Sequence, residues 1–328
     1  MDFLNILENA ARAFIGLDTI VFALAAIGLN VHFGYAGLLN FGQAAFVAVG
    51  AYGIGITVAI LDLSLWMGLL IGLVAAVVLA LVLGVPTLRL RADYLAIATI
   101  AAAEIVRLLL RSASLREYTG GSNGVNGYTG GFYEANPFPE NSYGFGPWVY
   151  SERGAWILTV GWLTVALMCV LVFLLMRSPW GRVLKGIRED EDAVRSLGKN
   201  VYAFKMQALV IGGVIGATAG FISALGKGAV QPDNYSTEFT FYAYTVLLLG
   251  GAARVLGPVI GAAIFWSVLS LSDTVLRQAI SADYLPFLQS IDAGPLRFMI
   301  VGAALMALMV FRPQGIFGDK REIAINAR

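Results

Sequence analysis

Residues 63–88 read LSLWMGLLIGLVAAVVLALVLGVPTL and contain no charged side chain. A helix that crosses the hydrocarbon core of a bilayer needs about 20 consecutive, mostly apolar residues, and this stretch exceeds that length. Residues 154–176 and 206–226 are also free of charge and mostly apolar. Three such stretches in one chain predict a polytopic membrane protein rather than a soluble domain.

The overall composition agrees with a membrane location and excludes several classes of function. Only 13% of the residues are charged, whereas soluble domains carry about 25%. A net charge of +1 gives no global field that would attract nucleic acid. The chain has one histidine and one cysteine, Cys169. An intrachain disulfide is therefore impossible, and a metal cluster or a membrane-embedded metalloenzyme is not expected.

Further apolar stretches, at 17–33, 37–61, 94–110, 239–272 and 293–311, bring the expected number of transmembrane helices to about eight. Residues 37–61 are uncharged but rich in glycine, and the stretch 239–272 is interrupted by LLLGGAARVLGPVIGA. Helix breaks at membrane depth are allowed where protein or a water-filled cavity surrounds them. We therefore predict an all-α polytopic integral membrane protein with broken or re-entrant segments near 37–61 and 239–272.

The same pattern divides the chain into three parts and orients it. Residues 1–16 form an amphipathic segment that either lies on the membrane surface or extends the first span. Residues 17–311 form the transmembrane domain, and 312–328 form a tail. Lys and Arg in short loops face the cytoplasm, which places loop 177–205 and the C-terminus there. Loop 111–153 then faces outside, as a docking surface, a gate lid or a flexible connector.

The segment RSPWGRVLKGIREDEDAVRSLG (177–198) carries a dense cluster of charge between two apolar stretches. Its apolar residues Val183, Ile187, Val194 and Leu197 are spaced so that they can share one helix face. Acidic residues suit a helix start because of the helix dipole, and Gly198 stands where a helix-ending glycine belongs. We predict a compact cytoplasmic helix that binds another protein. The alternative is a basic loop that serves topology alone.

Four segments resemble the branched-chain amino acid ABC permeases of the LivM type. They are GLNVHFGYAGLLNFGQAAFVAVGAYG (28–53), SPWGRVLKGIREDEDAVRSLGKNVYAFK (178–205), LLLGGAARVLGPVIGA (247–262) and FRPQGIFG (311–318). The second is similar to the family segment that contains a form of the EAA loop, which docks on the ATPase. The E-A-A-x-x-x-G pattern falls here on Asp192, Ala193, Val194 and Gly198, with Asp for Glu and Val for the second Ala.

The resemblance implies a non-catalytic permease subunit in a bacterial cell membrane, with 17–311 as the permease domain. Its implied partners are a LivH-type permease, two ATP-binding subunits of LivG and LivF type, an extracytoplasmic binding protein and the lipid bilayer, with no nucleic acid. ATP and Mg would bind the partner ATPases, since this chain has no phosphate-binding G-x-x-x-x-G-K-[ST] motif. The implied ATPase-docking residues are Val183, Ile187, Arg188, Glu189, Asp190, Glu191, Asp192, Ala193, Val194, Leu197 and Gly198.

Polar residues within the apolar stretches are candidates for the translocation path. Glu104 and Arg107 are three residues apart on one helix, so they either form a structural pair or line the path. Asn40 and Gln43 either line it or form hydrogen bonds with neighbouring helices. His32, near a predicted membrane boundary, is expected to form an interfacial hydrogen bond. No residues are expected to be catalytic or to bind a metal.

The resemblance favours leucine, isoleucine and valine as cargo. A permease of a urea or short-amide importer of the same family is the nearest alternative. A self-sufficient channel or secondary transporter would be expected to carry more ionisable residues within the membrane for ion coupling. The chain offers essentially Glu104 for that purpose.

Overall fold

The computed structural model describes residues 3–281, 293–311 and 315–318. Its helices in chain order are α1 (Phe3–Ile15), α2 (Leu17–Leu29), α3 (Gln43–Ala59), α4 (Leu65–Thr87), α5 (Ala92–Arg111), α6 (Arg116–Thr119), α7 (Gly130–Glu134), α8 (Glu152–Arg177), α9 (Pro179–Glu189), α10 (Glu191–Ser196), α11 (Val201–Lys227), α12 (Thr237–Gly250), α13 (Gly257–Ser281) and α14 (Ala293–Phe311). Helix α2 continues as a π-helix, Asn30–Tyr35. The strands are β1 (Val125–Asn126), β2 (Ser142–Phe145), β3 (Trp148–Ser151) and β4 (Ala229–Val230).

This architecture confirms the predicted all-α polytopic membrane fold. The three charge-free stretches lie within α4, α8 and α11. Among the described residues, the helical stretches long and apolar enough to cross a membrane are Leu4–Tyr35, Leu65–Thr87, Glu152–Arg177, Val201–Lys227 and Gly257–Ser281, and α3 is a shorter apolar helix. Helices α4 and α8 leave large apolar side chains exposed, including Trp66 and Leu163. Such faces suit contact with lipid or with another apolar protein.

Helices α2, α3 and α11 form the centre of the bundle, and glycines allow their close contact. Added Cβ atoms at Gly212 and Gly220 of α11 would lie 2.5 Å from the Gly28 carbonyl oxygen and 2.0 Å from that of Val47. Small residues at helix contacts allow this approach. The glycine ridge of α11 therefore packs inside the chain.

Two interruptions of the helices occur where the sequence indicates them. Residues 36–42 are non-helical between the π-helix and α3, and residues 251–256 separate α12 from α13. The second break contains Gly251 at φ +107° and Ala253 at φ +59°. Ala253 is not a glycine, so its positive φ is sterically unfavourable and must be held by surrounding contacts.

Loop 111–153 is folded against one end of the bundle. Strand β1 pairs antiparallel with β4, which follows α11, and β2 pairs with β3 in a hairpin. Tyr128 is buried and donates a hydrogen bond from its hydroxyl to the Ala224 carbonyl over 3.0 Å. Trp156 Nε1 donates to the Phe132 carbonyl over 3.1 Å. These contacts do not fit the flexible-connector alternative.

The N-terminal segment forms the separate helix α1, which ends before a bend at Gly16. It is anchored to the bundle through its carbonyl groups: Ser267 Oγ donates to Ala10 over 3.1 Å and Trp148 Nε1 donates to Ala11 over 2.7 Å. A position on the membrane surface stays a prediction. Of the tail 312–328, only residues 315–318 are among those described.

Candidate functional site

Segment 177–198 forms two helices, so the prediction of one compact helix is wrong. Asp190 adopts an extended conformation, φ −153° and ψ 103°, between α9 and α10. Its carboxylate accepts hydrogen bonds from the backbone N–H groups of Asp192 and Ala193, each over 3.0 Å. An aspartate that caps a helix in this way ends one helix and begins the next. Gly198 follows α10 at φ +75°, as expected of a helix-ending glycine.

The apolar residues of the segment do not form a single exposed face. Ile187 is 4% exposed and Val194 9%, and both pack with Val201 in a small cluster. Leu197, the residue that follows α10, is 78% exposed. Leu197 is the C-cap residue of α10 and lies outside this cluster, although Val194 is only three residues before it. The cluster holds the segment together, and Leu197 is free for contact with another protein.

The exposed surface of the segment carries both acidic and basic side chains near Leu197. Among the predicted docking residues, those exposed to solvent are Glu189, Asp190, Asp192, Ala193, Leu197 and Gly198. Arg195 pairs with Glu191 at 3.0 Å and with Asp192 at 2.7 Å. Glu191 also pairs with Lys205 at the start of α11, which connects α10 to the bundle.

Arg188 is partly exposed and bonds to the bundle through its guanidinium group. Its Nη1 donates to the carbonyl oxygen of Gly34, in the π-helix, over 2.5 Å. Gly37 has φ +68°, and an added Cβ there would lie 3.3 Å from Arg188 Cγ. The Lys185 ammonium lies 5.8 Å from the centre of the Tyr35 ring. Helix α9 is therefore attached to the end of the π-helix by two cationic side chains.

A cationic cleft of about 440 Å³ lies beside the segment, between the end of α4 and the start of α11. Its charged lining residues are Arg89, Glu191, Arg195, Lys199 and Lys205. Arg89 lies over the Tyr202 ring at 5.8 Å. Acidic and basic surfaces thus adjoin at this end of the bundle, an arrangement that favours a partner with complementary charge.

Asn40 belongs to a buried hydrogen-bond network with His32. His32 Nε2 donates to the Leu209 carbonyl over 3.1 Å, so Nδ1 is the acceptor for Asn40 Nδ2 at 3.0 Å. Asn40 Oδ1 accepts from Gly42 N over 2.9 Å, and the Asn40 carbonyl accepts from the Tyr244 hydroxyl. His32 is 0% exposed and makes its hydrogen bonds inside the bundle, while its position relative to the membrane boundary stays a prediction.

Gln43, the first residue of α3, is also 0% exposed and lies between α2 and α11. Its Nε2 donates to the Ala25 carbonyl over 3.2 Å and to that of Gly212 over 3.4 Å. Its Oε1 has no hydrogen-bond partner among the described residues. Asn40 and Gln43 thus form hydrogen bonds with neighbouring helices, as one of the two alternatives expected. A role of either residue in the translocation path stays a prediction.

Glu104 and Arg107 form the predicted ion pair on α5, with Nη2 and Oε1 2.5 Å apart. Asp233, which precedes α12, extends it: Arg107 Nη1 lies 2.5 Å and Arg111 Nη1 3.3 Å from Asp233 Oδ1. The Arg107 side chain is 15% exposed and that of Glu104 38%. The cluster joins α5 to the start of α12 at the end of the bundle that carries loop 111–153.

Two residues of this site were not predicted from the sequence. Asp233 joins the ion pair from a distant part of the chain, and its only local signal is a turn-forming PDN sequence. Asn30, inside the quoted 28–53 segment, is 1% exposed and bonded to the break at 251–256. A buried amide within an apolar helix is the signal that points to it, since such groups require partners.

Comparison with known proteins covers nearly the whole chain. Residues 12–310 match the family described as "Branched-chain amino acid transport system / permease component". The "High-affinity branched-chain amino acid transport system permease protein LivM" of Escherichia coli K12 is 29% identical over 313 residues, 91% of this chain and 68% of that protein. The probable LivM of Methanocaldococcus jannaschii is 28% identical over 92% of this chain and 91% of its own length.

A shorter match has a different stated cargo. The "Autoinducer 2 import system permease protein LsrC" of Escherichia coli O9:H4 is 27% identical over 161 residues, which are 47% of this chain and 42% of that protein.

Proposed function

Since the chain belongs to the family of permease components of branched-chain amino acid transport systems, we propose that it carries leucine, isoleucine and valine across the membrane within an ABC importer. The match over residues 12–310 is the observation that carries this proposal. The LivM proteins match over about twice the length covered by the autoinducer 2 permease. Branched-chain amino acids are therefore favoured over autoinducer 2, and no observation favours urea or short amides.

The chain is a permease subunit, and we propose that it works without catalytic activity of its own. The transport system would include a LivH-type permease, two ATPase subunits of LivG and LivF type that bind ATP and Mg, and an external binding protein. Positively charged loops remain on the cytoplasmic side. Loop 177–205 and the C-terminus would accordingly face the cytoplasm of a bacterial cell, with loop 111–153 outside.

The proposed docking surface for the ATPase is the exposed side of α10. Leu197 is the large apolar side chain exposed there, and Asp192 and Ala193 flank it. An apolar residue within a charged rim is typical of the centre of a protein interface. Ile187 and Val194 would contribute indirectly, by holding α9 and α10 in position.

The proposed path runs along the exposed face of α5 at the contact with the second permease. Glu104 lies on this helix together with the exposed apolar residues Tyr94, Ile97 and Ile105. A mostly apolar lining suits apolar amino acids, which must be released as well as bound. Arg107 would position Glu104, and Asn40 and Gln43 would hold the neighbouring helices.

The test compares Leu197→Asp with Val149→Asp, which places the same acid at an exposed apolar position in β3, at the opposite end of the bundle. Each variant is purified with the candidate partners and reconstituted with ATP inside proteoliposomes, and uptake of labelled leucine and urea is measured. We expect Leu197→Asp to reduce ATPase recruitment and leucine uptake at least tenfold, corresponding to about 1.4 kcal/mol or more at the interface. Val149→Asp should recruit the ATPases normally.

The other outcomes are equally clear. Uptake of urea instead of leucine would overturn the proposed cargo while keeping the mechanism. Leucine transport by this chain alone, without ATPases, would overturn the importer proposal. If the Leu197→Asp variant recruits the ATPases normally, the docking surface is not on α10.

A further inference from the structure

The side chain of Asn30 holds the break between α12 and α13. Its Oδ1 accepts from the backbone N–H of Ala253 and its Nδ2 donates to the carbonyl of Arg254, both over 2.8 Å. Asn30 is the first residue of the π-helix and is 1% exposed. The side-chain amide of Asn30 thus provides partners for one backbone N–H group and one backbone carbonyl group of the non-helical break. The N–H group belongs to Ala253, whose φ is +59°. Such backbone requires partners wherever water is excluded.

The π-helix connects this amide to segment 177–205. A Cβ at Gly34 would lie 2.0 Å from Asn30 Oδ1 and 2.7 Å from Ala253 N, so the Gly34 backbone rests against the amide and the break together. The carbonyl oxygen of the same Gly34 accepts the hydrogen bond from Arg188 of α9. Arg188, Gly34, Asn30 and Ala253 therefore form an uninterrupted series of contacts.

The break is also held from the C-terminal side. Backbone N–H groups of Ile316 and Phe317 donate to the carbonyls of Leu249 and Gly250, over 2.9 and 3.3 Å. These carbonyls stand at the end of α12, where intrahelical partners run out. A Cβ at Gly315 would lie 2.3 Å from the Leu248 carbonyl oxygen. Backbone hydrogen bonds thus attach residues 315–318 to the end of α12, directly before the break.

We propose that Asn30 is a positioning residue that makes α9 and the 251–256 break move as one body when the ATPases act. This inference rests on the proposed function, because it requires ATPases that move segment 177–205. Displacing α9 alone would separate Arg188 from Gly34 or leave the buried Asn30 amide without partners. Unsatisfied buried polar groups are costly, so a joint movement is favoured. π-Helical turns within α-helices are frequent at functional sites.

The first experiment measures leucine transported per ATP hydrolysed by the reconstituted complex. Asn30→Ala and Arg188→Gln should each recruit the ATPases normally, because neither residue belongs to α10 or its proposed docking surface and Arg188 bonds Gly34 instead. Each should nevertheless lower this ratio at least fivefold. The double variant should be no worse than Asn30→Ala, because both changes interrupt the same series of contacts. The control for Arg188→Gln is Arg182→Gln, on the same helix, where the arginine bonds the nearby Arg177 carbonyl. The control for Asn30→Ala is Thr87→Val, whose buried hydroxyl bonds its own helix.

The second experiment measures the movement itself. Spin labels at Arg182→Cys and at Leu256→Cys, an exposed residue of the break, in a Cys169→Ser background report the distance from α9 to the break. With native Asn30 this distance should be the same without nucleotide and with ATP trapped by vanadate. With Asn30→Ala it should change between the two states. A residue that served stability alone would not create this dependence on nucleotide.

Contrary results are distinguishable from failure of the proposed function. A complex with native Asn30 that neither hydrolyses ATP nor imports leucine refutes the proposed function before any variant is compared. A working complex in which the distance changes with nucleotide, or in which Asn30→Ala couples normally, overturns the role of Asn30. If the Asn30→Ala variant fails to assemble, the same two measurements on Arg188→Gln test the proposal. Arg188→Gln should assemble, because it alters a partly exposed side chain outside the core.

Discussion

Gly220 of α11 is the position at which we expect the smallest added side chain to have a large effect. A Cβ there would lie 2.0 Å from the carbonyl oxygen of Val47 and 2.7 Å from the amide nitrogen of Ala51. Both atoms belong to the backbone of α3, so no change of rotamer can relieve the overlap. Helices α3 and α11 must separate by about 1 Å to restore the 3.0 Å minimum of real Cβ contacts.

The cost of Gly220→Ala follows from that separation. A gap of about 0.5–1 Å removes a quarter to a half of the attraction between atoms that were in contact. Overpacking a well-packed core costs about 1–3 kcal/mol, and a rigid obstacle places this position at the upper end. The higher helix propensity of alanine offsets about 1 kcal/mol. We expect the free energy of unfolding to fall by about 2 kcal/mol net, or roughly 30-fold in the unfolding equilibrium.

The measurement is the free energy of unfolding in lipid nanodiscs, with Gly302→Ala as the matched control. Gly302 lies in α14, and an added Cβ there meets nothing within 4 Å. This control should be neutral or more stable by up to about 1 kcal/mol, because only the propensity term applies. Equal stability of the two variants would refute the inferred contact between α3 and α11.

Three further changes test other contacts. Asn40→Ala leaves the buried His32 without one partner and should lower the free energy of unfolding by about 3 kcal/mol; a loss below about 1 kcal/mol in a denaturant titration would contradict the network. Asp190→Ala removes the cap of α10 at a cost of about 1 kcal/mol, so hydrogen exchange of the α10 amides should accelerate about fivefold, whereas Glu189→Ala should not change it. Asp233→Asn removes two ion pairs at a side chain that is 54% exposed, so the free energy of unfolding should fall by about 1 kcal/mol, and by less in 1 M salt. A loss above about 3 kcal/mol would show that the ion pairs are not solvent-screened as inferred.

Features set by short-range rules could be predicted from the sequence. Charge-free stretches identify α4, α8 and α11 because a helix in lipid must be apolar along its whole length. The pair of Glu104 and Arg107 follows from helical geometry at a spacing of three residues. The break at 251–256 is indicated by glycines and a proline that weaken a helix.

Other features depend on contacts between distant parts of the chain. The segment has four consecutive acids, Glu189 to Asp192. Both aspartates could cap a helix, so the sequence does not show which of them separates α9 from α10. Asn30 bonds residues more than 200 positions away. The partners of Asn30 therefore cannot be predicted from its neighbours in the sequence. The burial of Ile187 and Val194 likewise depends on α11, which supplies Val201.

The attachment of loop 111–153 to the end of α11 has a consequence for the order of biosynthesis. Strand β1 pairs with β4, and Tyr128 and Tyr133 donate to the carbonyls of Ala224 and Leu225. The ribosome makes these partners long after the loop itself. The loop therefore lacks these bonding partners until α11 has been inserted with its Lys227 end on the loop's side of the membrane. The loop can form these bonds only in chains in which the end of α11 has reached the same side of the membrane as the loop, so its closure depends on correct insertion of α11.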